Sequence, residues 1–185
     1  MPISTIDPRA ALIVIDLQKG ILGIPAEPSV DDVIHRASEL AAAFRRKGLP
    51  VVLVSVTGGA PGRTQAEEHT LPDPPPDWAD LVDELDAQPQ DHLVIKQTWG
   101  AFHNTSLHEY LAGQSVTQVV IAGVSTSIGV ESTARSAYEH GYHVVLVTDA
   151  MSDLDPDAAR NSIERIFPRL GETGTTQEIL DKLEG

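Results

Sequence analysis

Three charged side chains follow apolar runs of the kind that form buried strands. The runs are residues 10–15, 92–95 and 144–147, and the charged residues that follow them are Asp16, Lys96 and Asp149. The carboxyl ends of parallel strands meet at one edge of a sheet, so we expect these side chains to border one site. A carboxylate beside an ammonium suits proton transfer and the stabilisation of developing charge. The alternative is that each charge ends its strand merely by reaching water.

Unusual neighbours favour the functional interpretation. Gln18 places a second polar group near Asp16, and Trp99 and Phe102 follow Lys96 in a predicted loop. Aromatic rings are costly to expose unless they cover something, so Trp99 and Phe102 are predicted to contact a substrate. Gln18 is predicted to contact it because it lies near Asp16. His103 is a further pocket candidate, although an exposed histidine is the default expectation.

The turn at residues 123–129, GVSTSIG, joins an apolar run to a helix that should end near Gly141. It matches neither the dinucleotide-binding nor the P-loop pattern, so nucleotide binding has no motif support. Amide groups that open a helix can still bind an anion, which makes Ser125, Thr126 and Ser127 substrate-binding candidates. Alternatively, the glycines only allow a strand and a helix to pack closely.

The whole pattern predicts a doubly wound, three-layer α/β/α fold with a mainly parallel six-stranded sheet, formed by one domain over residues 1–185. Further strands are expected at 50–56 and 119–122, with a weak sixth near 169–171. Helices are predicted from Ser29 to Gly48, over 78–85, from a Ser106–Glu109 capping box to 112, from Asp155 to Phe167 before Pro168, and over 177–183. Residues 57–90 otherwise form a long loop.

The composition of the chain excludes several classes of partner and active site. The 185 residues carry a formal net charge of −14, which disfavours nucleic acid and anionic membrane partners. The chain contains 0 cysteines, so disulfides, thiolate metal sites and a thiol nucleophile are excluded. No apolar run approaches the roughly 18–20 residues that span a bilayer, and no leader pattern is evident. A soluble, cytoplasmic protein that needs no cofactor is expected.

Three segments carry a family resemblance over nearly the whole chain. They are ALIVIDLQKG with Asp16, the WGAF–T–L pattern after Lys96, and AGVSTSIGVESTARSAYEHGYHVVLVTDA. Together they resemble the isochorismatase-like hydrolases, also called cysteine hydrolases. The resemblance implies a six-stranded parallel sheet, a small-molecule substrate and a homo-oligomer, a dimer or a larger assembly.

The resemblance also implies catalytic roles. Amidases of that family use an aspartate matching Asp16, a lysine matching Lys96, and a cysteine at the position that Gly129 occupies here. Isochorismatases proper carry glycine there. In them the aspartate protonates an enol ether, water adds to the oxocarbenium ion, and no protein nucleophile is needed.

On that basis Asp16 is the expected general acid for a small carboxylated substrate, and Lys96 orients Asp16 and holds substrate charge. The backbone from Ser125 to Gly129 would bind a carboxylate, and a cis peptide is expected at Val124–Ser125. Arg63, in the loop after the second strand, could pair with a carboxylate. Metal-dependent members carry an Asp-x-His pair and further histidines in that loop, where this chain has only His69, so no metal is expected.

Two other functions remain open. The protein could be an amidase whose nucleophile is Ser125, Ser127 or Ser132, activated by Asp16, or a catalytically silent binding member of the family. The role of Asp16 is open as well. A nearby ammonium favours the ionised carboxylate, which would act as a base unless burial opposes it.

Overall fold

Continuous apolar runs form the centre of the fold. The structure, a computed structural model, describes residues 2–23, 25–65 and 74–185. Its strands are β1 (Ala10–Ile15), β2 (Val51–Val56), β3 (His92–Lys96), β4 (Gln118–Val124), β5 (His143–Ser152) and β6 (Glu172–Gly174). They form a six-stranded sheet in the order β3-β2-β1-β4-β5-β6, and each neighbouring pair is parallel. The predicted α/β class is confirmed.

Helices cover both faces of the sheet. The α-helices are α1 (Val30–Arg46), α2 (Leu107–Gly113), α3 (Glu131–Glu139), α4 (Pro156–Asn161), α5 (Phe167–Leu170) and α6 (Thr176–Glu184). Helices α1 and α6 pack with alternate strand residues such as Leu12 and Val14 in one core layer. Helices α2 and α3, with Phe167 of α5, pack on the opposite layer with Ile13 and Ile15. Because side chains alternate across a strand, β1 supplies both layers.

The strand order reverses between β1 and β4, where open α/β sheets bind their ligands. Gly123 of β4 lies in this crevice with φ +115°, a conformation that disfavours a side chain. A Cβ atom at this position would lie 2.1 Å from the carbonyl oxygen of Ile15. The glycine therefore lets β1 and β4 approach closely where both strands end.

The prediction that Asp149 borders the site is wrong. Strand β5 continues past it to Ser152, and one oxygen of its carboxylate accepts hydrogen bonds from the backbone N–H (2.7 Å) and hydroxyl (2.9 Å) of Thr176. Arg36 donates to the Asp149 backbone carbonyl at 2.6 Å. Asp149 thus stabilises the start of α6 and anchors α1.

Several local predictions also need correction. Of residues 78–85 only Asp83–Leu85 is helical, as a 3₁₀ turn, because Leu81 instead bridges to Gln18. Ser106 makes no capping bond, since its hydroxyl lies 3.3 Å from the His92 ring. The chain stays helical through a π-helical turn, Ser162–Ile166, into α5, and Pro168 is the second residue of α5. The sixth strand begins at Glu172, three residues later than expected.

Gly123→Ala should lower the free energy of unfolding by about 3 kcal/mol or more, because β1 and β4 must separate to admit the methyl group. Gly141→Ala is the matched control. That residue also has a positive φ, +86°, but nothing lies within 4 Å of its Cβ position. The control should lose only about 1 kcal/mol, the cost of the conformation itself. Urea denaturation measures both, and equal losses would contradict the close approach.

Candidate active site

The structure brings Asp16 and Lys96 together, although 80 positions separate them in the chain. Lys96 is the last residue of β3, and its Nζ donates to Asp16 Oδ2 at 2.7 Å and to the Thr98 carbonyl at 3.1 Å. The Lys96 side chain is 2% exposed and that of Asp16 is 11% exposed. The two groups form a buried, hydrogen-bonded ion pair at the strand ends.

Backbone geometry directs Asp16 into this position. The residue follows β1 in the left-handed region, with φ +54°, which aspartate tolerates better than most residues. Its N–H continues the ladder to Val54 at 2.9 Å, and its carbonyl accepts the N–H of Gln18 at 3.0 Å. The chain therefore turns sharply at the carboxylate.

The two Asp16 oxygens have different surroundings. Oδ2 accepts the bond from Lys96, whereas Oδ1 is buried and has no hydrogen-bond partner among the described residues. Burial raises the pKa of the Asp16 carboxyl from its ordinary value of 3.8 to about 6, and the charge and hydrogen bond of Lys96 oppose that rise. A protonated Asp16 would carry its hydrogen on Oδ1, because the ammonium already donates to Oδ2.

The turn after β4 lies against this pair. The peptide Val124–Ser125 is cis, as predicted, and a π-helical turn, Thr126–Val130, leads into α3. A Cβ atom on Gly129 would lie 3.3 Å from Asp16 Oδ2 and 3.0 Å from the Val124 carbonyl oxygen. The absence of a side chain at Gly129 therefore leaves the space beside the Asp16 carboxyl open.

The turn is joined to the loop that follows Lys96. The Thr133 hydroxyl donates to the Gly129 carbonyl at 2.7 Å and accepts the N–H of Ala101 at 3.1 Å. One buried hydroxyl thus connects the Gly129 turn with the Lys96 loop.

Part of the predicted anion site is occupied by the protein itself. The N–H and hydroxyl of Ser127 both donate to Asp153 Oδ2 at 2.7 Å, and the N–H groups of Ile128 and Val130 donate to the Ser125 carbonyl. These three amides are not available to a substrate carboxylate. Thr126 is buried, and its hydroxyl has no partner among the described residues.

Asp153, which is 4% exposed, is a site residue that the sequence patterns do not predict. It lies four residues after Asp149, the acid predicted to border the site. The sequence signal for Asp153 is its place two residues before the helix start at Asp155 and Pro156. Asp153 Oδ1 also accepts the N–H of Asp155, at 3.1 Å, so one side chain holds the turn and the start of α4 together.

The remaining candidates are placed differently. The Gln18 amide is buried and bonded to the Val56 backbone and the Trp78 carbonyl, which favours a positioning role. Phe102 packs in the core beside His140 and Tyr142. Trp99 is 61% exposed and Arg63 is exposed in the loop after β2. His103 lines a surface groove with Thr98 and Asn104.

Within the described ranges no group of three or more histidine, aspartate or glutamate side chains could hold a metal ion. His69, the histidine of the loop after β2, lies outside those ranges. No helix in the described part of the chain is long and apolar enough to cross a bilayer.

Comparison with known proteins supports the resemblance. Residues 10–178 match the model of the isochorismatase domain. An uncharacterized isochorismatase family protein of Escherichia coli O157:H7 is 40% identical over 94% of this chain and 95% of its own. A streptothricin hydrolase of Streptomyces noursei is 31% identical over 94% of this chain, which spans 60% of that hydrolase.

The fold comparison agrees. The structure of an isochorismatase family protein from Burkholderia thailandensis superimposes with a TM-score of 0.87 and 41% identity, over 98% of both chains. The family includes hydrolases, among them the streptothricin hydrolase. The chain belongs to the isochorismatase family.

Proposed function

We propose that the protein hydrolyses a small carboxylated substrate by acid catalysis from Asp16, with no covalent intermediate. The observation that carries the proposal is the buried Asp16–Lys96 pair beside Gly129, with Oδ1 of Asp16 left without a partner. This arrangement supports the isochorismatase-type reaction over the amidase route, because Gly129 stands where the family's amidases carry cysteine.

The Asp16 carboxyl gives its proton to the terminal carbon of an enol ether in the substrate, and Lys96 stabilises the carboxylate that forms. Water adds to the resulting oxocarbenium carbon and returns one proton to Asp16. The hemiketal that forms then breaks its bond to the leaving oxygen, which takes up the hydroxyl proton as the carbonyl forms. With the pKa of Asp16 near 6, about a tenth of the molecules carry the acid form at pH 7. Burial thus raises the pKa that the lysine alone would lower, and this keeps an acid form of Asp16 available for the proposed reaction near neutral pH.

The remaining expectations are part of the same proposal. The substrate is a small molecule, Lys96 and exposed Arg63 are the candidate contacts for its carboxylate, and Trp99 covers the bound molecule. Assembly as a homo-oligomer is expected from the family, and size-exclusion chromatography with light scattering tests it.

One observation favours a second function, a serine-assisted amidase. The hydroxyl of Ser127 donates to Asp153 at 2.7 Å, so a serine is already paired with a carboxylate that could act as a base. The same oxygen also accepts the Ser127 N–H, which is the pattern of a structural cap. We rank this function below the first.

Asp16→Asn should abolish turnover when wild type and variant are compared on a panel of metabolites, because the amide cannot give up a proton. Asparagine also tolerates the positive φ at this position, so the fold should remain. The control is Asp31→Asn, an exposed substitution on α1 that should keep full activity. Substrate loss that persists undiminished in Asp16→Asn would refute the proposal.

For the substrate found in this way, kcat/KM should fall tenfold per pH unit above about pH 6, as the acid form of Asp16 disappears. A rate that instead rises to a plateau above that pH would assign Asp16 the role of a base.

The raised pKa also has a thermodynamic signature. A carboxyl whose folded-state pKa lies above its unfolded value stabilises the fold fully below pH 3.8 and progressively less as the pH rises through 6. The free energy of unfolding of wild type relative to Asp16→Asn should therefore fall by about 3 kcal/mol between pH 3.5 and 7. Urea denaturation of both proteins at each pH measures it, and an unchanged difference would contradict the raised pKa.

Covalent labelling separates the two functions. Under acid catalysis a fluorophosphonate probe should leave every serine unlabelled, and Ser127→Ala should keep at least half of the wild-type kcat. Mass spectrometric detection of a probe on Ser127, lost in Asp153→Asn, would establish the amidase instead.

A further inference from the structure

Strand β3 forms one edge of the sheet and pairs only with β2. Side chains alternate along it, so Val94 packs in the core while Leu93 and Ile95 lie on the opposite face, 59% and 66% exposed. Neither of these two aliphatic side chains belongs to a core layer of the described residues. An exposed edge strand with apolar side chains is a template for pairing with another strand.

The backbone groups of this edge have a definite direction. The Thr57 N–H donates to the Lys96 carbonyl at 3.0 Å, so the N–H and C=O groups of Lys96 and of Val94 face β2 in this parallel pair. Those of Leu93 and Ile95 alternate with them and face outward, and no described residue bonds to them. These outward donors and acceptors are free to bond to a strand of another molecule.

A second copy of β3 fits this edge. In antiparallel pairing about a two-fold axis at Val94, Leu93 lies opposite Ile95 of the second copy, and each N–H donates to the carbonyl of the other residue. The reciprocal pair repeats this pattern, so all outward groups of both residues are bonded. The two aliphatic side chains of each pair then meet on the same face, and such cross-strand contacts stabilise sheets.

A groove of about 530 Å³ continues this edge beyond Ile95. Besides Ile95, its lining consists of Gly59, Pro61, Gln97, Thr98, His103 and Asn104. In the two-fold register, residues that follow Ile95 face residues that precede Leu93 in the second copy. The second copy's Pro89 and Gln90, which form an exposed turn, would therefore lie beside the groove. This contact extends the interface beyond the paired strands.

Charge also favours this surface. Each copy has a formal net charge of −14, so two copies repel each other in general. The strand sequence HLVIK contains no acidic residue, and the side chain of Asp91, which precedes it, is 0% exposed and paired with Arg45 at 2.7 Å. The described lining of the groove has no aspartate or glutamate. Pairing at this edge therefore brings no exposed carboxylates of the strands or the groove together.

We propose that two copies of this chain dimerise through the edges of their β3 strands, antiparallel about Val94, so that the two sheets become one. The proposal names the surface for the homo-oligomer expected above, and it does not depend on the reaction assigned to Asp16. Because Lys96 ends β3, the pairing also holds the strand that positions the Lys96 ammonium.

Cysteine cross-linking tests the register, because the chain contains 0 cysteines of its own. Leu93→Cys and Ile95→Cys are oxidised separately and as an equal mixture. In the mixture the two cysteines lie opposite each other, with Cα atoms about 5.5 Å apart, which a disulfide spans. Each variant alone places its cysteines diagonally, about 7–8 Å apart, which is too far for a disulfide.

The mixture should therefore give at least about threefold more covalent dimer than either variant alone. Equal yields in all three samples, or no covalent dimer in the mixture, would overturn the proposed pairing.

Sedimentation velocity over a range of protein concentrations tests the surface. Ile95→Pro removes an outward N–H without removing a bond to β2, and Leu93→Lys adds a charge to the edge. Each should raise the Kd of the dimer at least about tenfold. The control is Leu154→Lys, since Leu154 is also an exposed leucine (60%) but lies after β5, and this variant should keep the wild-type Kd.

Circular dichroism shows whether each variant is folded, and Leu93→Lys serves if Ile95→Pro is not. A folded variant at the edge that dimerises as wild type does, or a wild type that stays monomeric throughout, would refute the proposal.

Salt gives an independent test of the same interface. The Kd of the wild-type dimer should fall as the salt concentration rises, because screening weakens the repulsion between two acidic copies and the paired edges contain no ion pair to lose. A dimer that dissociates in high salt would instead be held by ion pairs on another surface. These measurements need no substrate, so they can fail while Asp16-dependent turnover is found, and the reverse.

Discussion

The structure of the site depends on one buried ion pair. Charges removed from water are stable only when they are well paired, and Asp16 and Lys96 meet at 2.7 Å with little exposure. The pair is unequal in its hydrogen bonding, since Lys96 occupies one carboxylate oxygen and leaves the other without a partner. Burial and pairing act on the Asp16 pKa in opposite directions, and burial prevails. The pKa of Asp16 therefore lies nearer to neutral pH than that of an ordinary aspartate.

The second constraint is the tight space where β1 and β4 end. Gly123 admits the backbone of Ile15, and Gly129 leaves the face of Asp16 uncovered. In the turn between them the N–H groups of Ser127 and Ile128 are bonded within the protein, the first of them to the Asp153 carboxylate. Fewer amides of the turn are therefore free to bind an anion. This favours Lys96 over the turn as the partner of a substrate carboxylate.

Apolar runs and their end residues predicted the sheet and the shared edge at which Asp16 and Lys96 meet, because the end residues of parallel strands lie at one edge. The place of Gly129 beside them was implied by the family resemblance. They failed where tertiary contacts override a local pattern. Asp149 ends an apolar run, but β5 continues because β4 still offers it partners up to Val124. Phe102 was expected at a substrate and packs in the core, since a ring in a loop can turn inward as well as outward. The role of Asp153 depends on its contact with Ser127, which is 26 positions away in the chain, and no local sequence pattern indicates that contact.

The Thr133 hydroxyl, which bonds to both Gly129 and Ala101, has a consequence for protein engineering. The segment after β3 and the start of α3 are joined by the hydrogen bonds of this one residue. Replacing either segment with that of a relative therefore affects the other. A chimera that takes the segment after β3 from a relative must also carry a residue at position 133 that bonds to it. Without that bond the Lys96 loop and the Gly129 turn lose their direct connection. Recombination boundaries in this scaffold belong outside the stretch from β3 to α3.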